Sequence, residues 1–496
     1  MARIEMLSSS AIDLLAESTL QVLAKVGIYC QNDDILDALE AWGAQVDRSA
    51  LTARFPEHKV LDFVDGLRKE AAGAWQEPAK GFRAPALSRV STQVAQFYLD
   101  PHTGERRPGN RQDFLSLIQM GDPLGLQAGA ASGAPDVDPI VAMRDGRSGE
   151  NPEAQVGHAL LLTDVPPLLE PLEAALLLAE HAHHPGPAFA WNVRQVDYLI
   201  EMGEILGLHD WFTWGAICFA HPLRFDKDVA DKFVRRARSG FPTGLTGMPV
   251  SGVTTPVTPA GFIVVASAEF MATWIAARAL NPNVAFEGSI WGATVDFRAG
   301  TVSYSSADAM MRAFAAAEFL ARWAGQTVTV GGGEYSDACA PGLYAALEKA
   351  YKAMSIAHFT GHHPPVGDGL LETGKTISPL QLLIDREVTA GVQVLGSDIE
   401  VTPETIALDT IFEVGFGLKK SYMGEEHTVR RYRQALWYPP LSRREPWNGP
   451  ATEEAVLARA RRKVDELIAS YRKPEVDPGQ LARMRAVVER ARRELA

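Results

Sequence analysis

The spacing of apolar residues changes character along the chain. Near the N-terminus Ile12, Leu15, Thr19, Leu23 and Val26 recur every three or four positions, the period of one helix face. Ser10 with Asp13 three residues on fits an N-terminal cap, and Gly27 a left-handed stop. A second helix is predicted from Asn32 or Asp33 to Gly43. A third opens at Pro56 and turns Val60, Phe63, Val64 and Leu67 inward. From about residue 120 to 430, short apolar runs alternate with longer helical patterns. The runs read as strands are His158–Thr163, Ala188–Val193, Phe212–Phe219, Gly244–Val250, Val284–Ile290, Thr327–Gly331 and Gly391–Leu395. Helices are predicted over Asp228–Ser239, Gly261–Leu280 and Ala307–Gly325. Strand–helix alternation implies a parallel sheet, and eight such units close into a barrel with its site on the loops after the strands. Seven strands are legible, so closure is inferred. The tail from Thr452 to Tyr471 is helical, capped at Thr452 with Glu453 and Glu454 in the first turn. A last basic helix follows Pro478. The expected fold is α/β, a (β/α)₈ barrel over residues 96–450, with an N-terminal helical region (1–95) and a C-terminal helical tail (451–496).

Charge and composition narrow the function classes. The chain has 496 residues, 46% of them hydrophobic, and a formal net charge of −13. An acidic, evenly mixed surface argues against a nucleic-acid partner. Cys30, Cys218 and Cys339 are scattered and odd in number, which suits a reducing, cytoplasmic compartment and gives no disulfide framework. The first residues carry no apolar leader pattern. Ala260–Leu280 has the length of a membrane span. Glu269 sits at its middle, however, so a buried helix is expected and no membrane association.

Standard signatures are absent: no GxxxxGK[ST], HExxH or GxSxG occurs. Gly331-Gly332-Gly333 follows an apolar run and fits a tight turn that admits close backbone approach. His181, His183 and His184 form one small cluster and His362 with His363 another. No acid or cysteine stands at ligand spacing, and no bound metal is expected.

Three segments carry a resemblance. Tyr98-Leu-Asp-Pro-His-Thr-Gly-Glu-Arg-Arg107 is followed by Asp113-Phe114. Gly252-Val-Thr-Thr-Pro-Val-Thr-Pro-Ala-Gly261 is followed by Ala268-Glu269. Glu425-Glu-His-Thr428 is followed by Trp437-Tyr-Pro-Pro440, Arg444 and Trp447. Together they resemble the trimethylamine methyltransferase family, in its branch without pyrrolysine that includes glycine betaine methyltransferases. Gly27, Gly43 and the stretch Asp337 to Ala350 add weaker matches, and the likeness runs from about residue 7 to 450. Within Asp337–Ala350 the chain departs from the family pattern. Cys339 stands for lysine, Gly342 for aspartate, Tyr344 for glutamine and Leu347 for tyrosine. His221 stands where serine is frequent.

The resemblance implies methyl transfer from nitrogen to the cobalt of a corrinoid (cobalamin) carried by a partner protein. Every residue of this chain is an ordinary one, so a quaternary ammonium, whose leaving group is a neutral amine, suits it better than a tertiary amine. A methylammonium cation is held by aromatic faces and complementary charge. Trp191, Trp214, Phe286, Trp291 and Tyr335 fall in or just after predicted strands and are candidates for such a cage, with Tyr344 beside them. Glu287 and Asp385 are candidate substrate-binding acids. Glu334, Asp337 and His427 are candidates for the reacting centre. Two other readings stay open at this point. One is a same-fold methyltransferase with free cobalamin or a folate as acceptor. The other is a non-catalytic binder of methylated amines. A homo-oligomer is compatible with either.

Overall fold

The computed structural model describes residues 5–73, 87–132, 155–208, 210–213, 222–360, 366–395, 399–446 and 451–495. Trp214, Cys218, His221, His362, His363 and Trp447 lie outside them.

The N-terminal helices form where the periodicity puts them, Ser9–Lys25, Asp33–Trp42 and Glu57–Gly73. The first is capped by Ser8, whose Oγ accepts from Ala11 N–H at 3.2 Å, two residues before the expected Ser10. Asn32 caps the second through Ile35 N–H at 2.9 Å, and Gly43 ends it at φ +110°. Later helices run Lys227–Arg238, Pro259–Leu280, Ala307–Ala324, Thr452–Ser470 and Pro478–Leu495, each within a few residues of expectation. The last but one starts after Ala451, with no side-chain cap from Thr452.

Pro259–Leu280 is the one described helix long and apolar enough to cross a membrane, and 78% of its apolar window is buried inside the protein. Its apolar residues face all directions because neighbours cover it on all sides. The charge at its centre is satisfied: Glu269, fully buried, accepts the Leu223 N–H at 2.9 Å.

The strands are short. Thr243–Gly247 and Phe286–Ile290 pair in parallel in full register, Phe286 opposite Thr243 and Ile290 opposite Gly247. Ser289–Ile290 pair in parallel with Thr329–Val330. Ala188–Phe189 pair in parallel with Phe212–Thr213, and parallel bridges join Ala95 to Leu160 and Val156 to Pro185. Phe97–Leu99 pair in parallel with Thr376–Ile377 and antiparallel with Arg106–Pro108. The architecture is thus mixed α/β with parallel pairs in separate small sheets, and among the described residues they do not join into a closed ring. Gly391–Leu395, expected as a strand, is the last turn of the helix Pro379–Leu395. A five-residue segment is too short for its period to separate strand from buried helix.

Most buried apolar side chains gather in two cores. One joins the three N-terminal helices to the Thr243–Gly247 and Phe286–Ile290 strands and their helices. The other joins residues 90–212 to the two C-terminal helices. A buried ion pair ties the second core to the loop before the Thr243 strand. Arg236 donates to both oxygens of Asp210 at 3.0 and 2.7 Å, and a third bond reaches Pro242 O at 2.7 Å. Removing one partner strands a charge in a dry setting. Asp210→Ala is therefore expected to lower unfolding stability by about 3–5 kcal/mol in urea denaturation, with Asp210→Asn costing clearly less.

Candidate functional site

The parallel strands Phe286–Ile290 and Thr329–Val330 end side by side, and both chains turn sharply there. Trp291 follows the first, its backbone N–H bonded to Gly247 O at 2.7 Å. Gly331 follows the second. The indole lies directly against Gly331, where a Cβ would fall 2.0 Å from Trp291 Nε1, and Gly332 adopts φ +92°. The glycine run therefore does what its composition suggests: it lets a large ring approach the main chain. Ser289 Oγ accepts from Nε1 at 2.8 Å and fixes the indole's rotation.

Tyr335 stacks edge-on against Trp291 with ring centroids 4.8 Å apart, and against Tyr304 at 5.8 Å. Gly374 also packs closely against the Tyr335 ring. Trp291 is buried, whereas Tyr304 and Tyr335 are half-buried. The aromatic surface open to a ligand thus belongs to the two tyrosines, with the tryptophan as their support.

Beneath this edge lies a cluster of charge. Lys352 Nζ, fully buried, donates to Tyr335 O at 2.7 Å and to Ser305 Oγ at 3.2 Å. Burial drives its ammonium down to about 8, opposed by the nearby Glu334 charge. Glu334 is half-buried by area yet densely surrounded by protein. Burial pushes its carboxyl up to about 7, although it accepts the Gly332 N–H at 3.2 Å. Asp337 is likewise raised by burial. Ser303 Oγ donates to its Oδ2, and its buried Oδ1 has no hydrogen-bond partner among the described residues. Glu348 accepts from Ser336 Oγ at 2.6 Å and from Asp337 N–H at 2.8 Å. Lys349 and Asp385, both fully buried, pair at 2.7 Å. Burial depresses the ammonium and raises the carboxyl. Asp368, raised by burial, receives the Arg89 N–H at 3.1 Å. Five carboxyls, of Glu334, Asp337, Glu348, Asp368 and Asp385, thus stand against three cationic side chains, Lys349, Lys352 and Arg89. An acidic excess beside half-open tyrosine rings is the electrostatic complement of an organic cation.

The candidate residues separate accordingly. Trp291, Glu334, Tyr335, Asp337 and Asp385 belong to this region. Tyr344 is exposed on the first turn of the helix Leu343–Thr360, its hydroxyl raised by the neighbouring Glu348 charge. Phe286 lies at the opposite end of its strand, packed on Phe63 and Trp274 under Arg278, whose guanidinium sits 4.5 Å from the ring centre. A cavity of about 300 Å³ near it, lined by Trp42, Phe63 and Arg278, is a seam between helices, with Arg278 held by Glu70 at 2.9 Å. Glu287 follows Phe286 on the strand, away from its C-terminal end. Trp191 is held elsewhere. Its Nε1 donates to Glu170 at 2.7 Å, and Glu170 in turn bonds the buried His158 at 3.0 Å. His427 stands on the helix Glu426–Ala435, half-buried with Nε2 unbonded among the described residues. Among those residues no group of three His, Cys, Asp or Glu side chains converges as a metal centre would.

The sequence reading passed over Tyr304, Glu348, Lys349, Lys352 and Asp368. For the lysines a signal existed. Ala345, Lys349, Lys352 and Ile356 share one buried helix face, and charge on an inward face needs a partner.

Two of the three segments that carried the resemblance prove largely architectural. Asp100 Oδ1 accepts from His102 and Thr103 N–H and shapes a hairpin, while Arg107 clasps Asp113. In Gly252–Gly261, Thr254 and Thr258 close a turn and cap a helix, and Arg312 pins the turn through Ser251 Oγ and Val257 O.

The sequence profile of the family described as trimethylamine methyltransferase matches residues 1–138 and 194–496. The chain is similar to trimethylamine methyltransferase MttB2 of Methanosarcina mazei, 29% identical over 56% of this chain and 55% of that protein. It is similar to trimethylamine methyltransferase MttB of Desulfitobacterium hafniense, 23% identical over 95% and 91% of the two chains. It is also similar to the glycine betaine methyltransferase of Desulfitobacterium hafniense strain Y51, 24% identical over 55% and 57%. The match to the Methanosarcina and glycine betaine proteins thus spans little more than half of their length.

Two outcomes are expected with tetramethylammonium as probe. Tyr335→Ala should weaken its binding by about 1–2 kcal/mol, roughly five- to thirtyfold, and Tyr335→Phe far less. Trp291→Ala should act in the same direction by releasing Tyr335. Calorimetry checks both. Affinity should also rise with pH. Glu334 is neutral below about 7 and anionic above it, and Lys352 loses its positive charge above about 8, so both changes favour a bound cation. Titrations at acid, neutral and alkaline pH should show the gain, and Glu334→Gln should remove its lower step.

Proposed function

Because the chain belongs to the trimethylamine methyltransferase family, we propose that it moves a methyl group from a small quaternary ammonium compound to the cobalt of a corrinoid protein. The observation that carries the reading is the pairing of half-open tyrosine rings with a buried excess of carboxylate at adjacent strand ends. The same reading takes the parallel pairs between residues 95 and 377 as arcs of one (β/α)₈ barrel, whose strand ends form the reaction face.

The chemistry asks little of the protein in proton transfer. The carbon–nitrogen bond breaks with its electron pair on nitrogen, which leaves as a neutral tertiary amine. The donor loses its charge during the reaction, so the groups that bind it must not hold it too strongly. Tyr304 and Tyr335 would hold the cation by their ring faces. Glu334 and Asp337 would balance its charge. The buried Trp291 and the glycine run behind them would exclude water and fix the rings in place. A reduced corrinoid supplies the nucleophile when its carrier is bound. The carrier must reach the strand ends from solvent, and Leu343, Tyr344 and Leu347 form an exposed apolar rim beside them on the helix that carries Glu348, Lys349 and Lys352. Such a rim fits a planar ring arriving on another protein.

Incubation with a reduced corrinoid protein, free reduced cobalamin or a folate, each with tetramethylammonium, glycine betaine or trimethylamine, tests the proposal. Methyl–cobalt absorbance is expected with the corrinoid protein and at least one quaternary donor. Trimethylamine should give none, since its direct demethylation would expel an amide anion. Turnover of trimethylamine, or quaternary donors used only with a folate, would overturn it.

A further inference from the structure

The segment between the helices Pro379–Leu395 and Thr452–Ser470 contains an arm that builds no core. Residues 399–440 include three short helices, Pro403–Ile406, Leu408–Val414 and Glu426–Ala435, yet Val414 is their one buried residue. Large apolar side chains point outward instead: Phe412 is 70% exposed, Phe416 98%, Leu418 89% and Met423 83%. Apolar exposure this dense on one segment marks a surface made to be covered.

Charge along the arm is segregated. Residues 399–414 hold Glu400, Glu404, Asp409 and Glu413 and no basic residue. Residues 415–433 hold Lys419, Lys420, Arg430, Arg431 and Arg433 against Glu425 and Glu426. Within the arm Lys420 reaches Glu413 at 3.1 Å and Glu425 at 3.5 Å, and Arg430 pairs with Glu426. Glu400, Glu404, Asp409, Lys419 and Arg431 form no ion pair among the described residues. One half of the arm is left negative and the other positive, with the apolar side chains between them.

We infer that the arm is the contact between two copies of this chain, paired antiparallel about a two-fold axis. A two-fold contact sets each half of one arm against the opposite half of the other. Acid then meets base twice, and Phe412, Phe416, Leu418 and Met423 are covered by their own counterparts. A partner of uniform charge would match only one half and repel the other. The arm therefore selects a surface as bipolar as itself, and a second arm is such a surface.

Sedimentation of the full chain at micromolar concentration, in low and high salt, provides the test. Wild type should sediment at twice the mass of one chain, with tighter association at low salt. Phe412→Asp with Phe416→Asp should dissociate it. Glu404→Lys with Asp409→Lys, and separately Lys419→Glu with Arg431→Glu, should each weaken self-association by roughly tenfold or more through like-charge contact. Circular dichroism checks that each variant is folded. Mixing the two charge variants should restore a dimer containing one of each, which loss of folding could not produce. A monomeric wild type would overturn the inference, whichever other protein then bound the arm. So would dimers that persist in all three variants, or charge variants that fail to recombine.

Discussion

A fully buried ion pair, Lys349 with Asp385 at 2.7 Å, is the constraint around which the strand-end region is arranged. Two charges withdrawn from water are costly unless their remaining hydrogen-bonding capacity is met. Asp385 accepts from Gly369 N–H at 2.8 Å and Gln381 Nε2 at 2.7 Å, and Lys349 donates to Gly367 O at 3.2 Å. Those bonds draw the loop 367–369 down between the helices Leu343–Thr360 and Pro379–Leu395. Gly367 takes φ +96°, and a Cβ there would fall 2.1 Å from Asp385 Cγ. The loop so placed carries Asp368, and the first helix carries Lys352 and Glu348 on the same face. Without the pair, the loop that carries Asp368 would lose its hold on both helices.

What the chain discloses to a reader of its sequence follows from how local each signal is. Helices were legible because period, caps and stops lie within a few residues. Asn32, Gly43 and Gly325 act as written, and the Ser8-for-Ser10 shift is the ordinary uncertainty of an end with several serines. Gly391–Leu395 misled because so short a run, with Val392, Val394 and Leu395 its large apolar residues, fits either structure. The Gly331 turn was legible because composition there leaves few options, and Trp291 and Tyr335 could be placed just after strands, whereas the contact between their rings could not be read. The charge cluster was not. Glu348, Lys349 and Lys352 share one helix but meet Asp368 and Asp385 only when a loop and a second helix converge; the inward face hinted that the lysines are buried, not which acids they would meet. Two of the recognisable motifs gave the family but not the site, since Asp100–Gly104 and Gly252–Gly261 serve turns and caps.

The arrangement balances two demands on a cation site. Strong carboxylates would grip an ammonium ion, yet a donor that loses its charge must also be released. Burial softens the grip: Glu334 is shifted toward neutrality, and Lys352, so close that its charge offsets that shift, is itself weakened. Specificity then rests on ring faces, which favour diffuse methylated cations over compact hydrated ones.

The arm also has a consequence for how the chain can vary. It leaves at the end of the helix Pro379–Leu395 and returns onto that helix, with Trp437 against Gly391 and with Leu441 and Ser442 N–H on Glu387 at 2.5 and 2.8 Å. Its two roots sit within about two helical turns of each other. An excursion whose ends are held together on one helix can lengthen, shorten or be replaced at little entropic cost, because loop closure depends only weakly on length. The length of the arm can thus change without moving the strand ends.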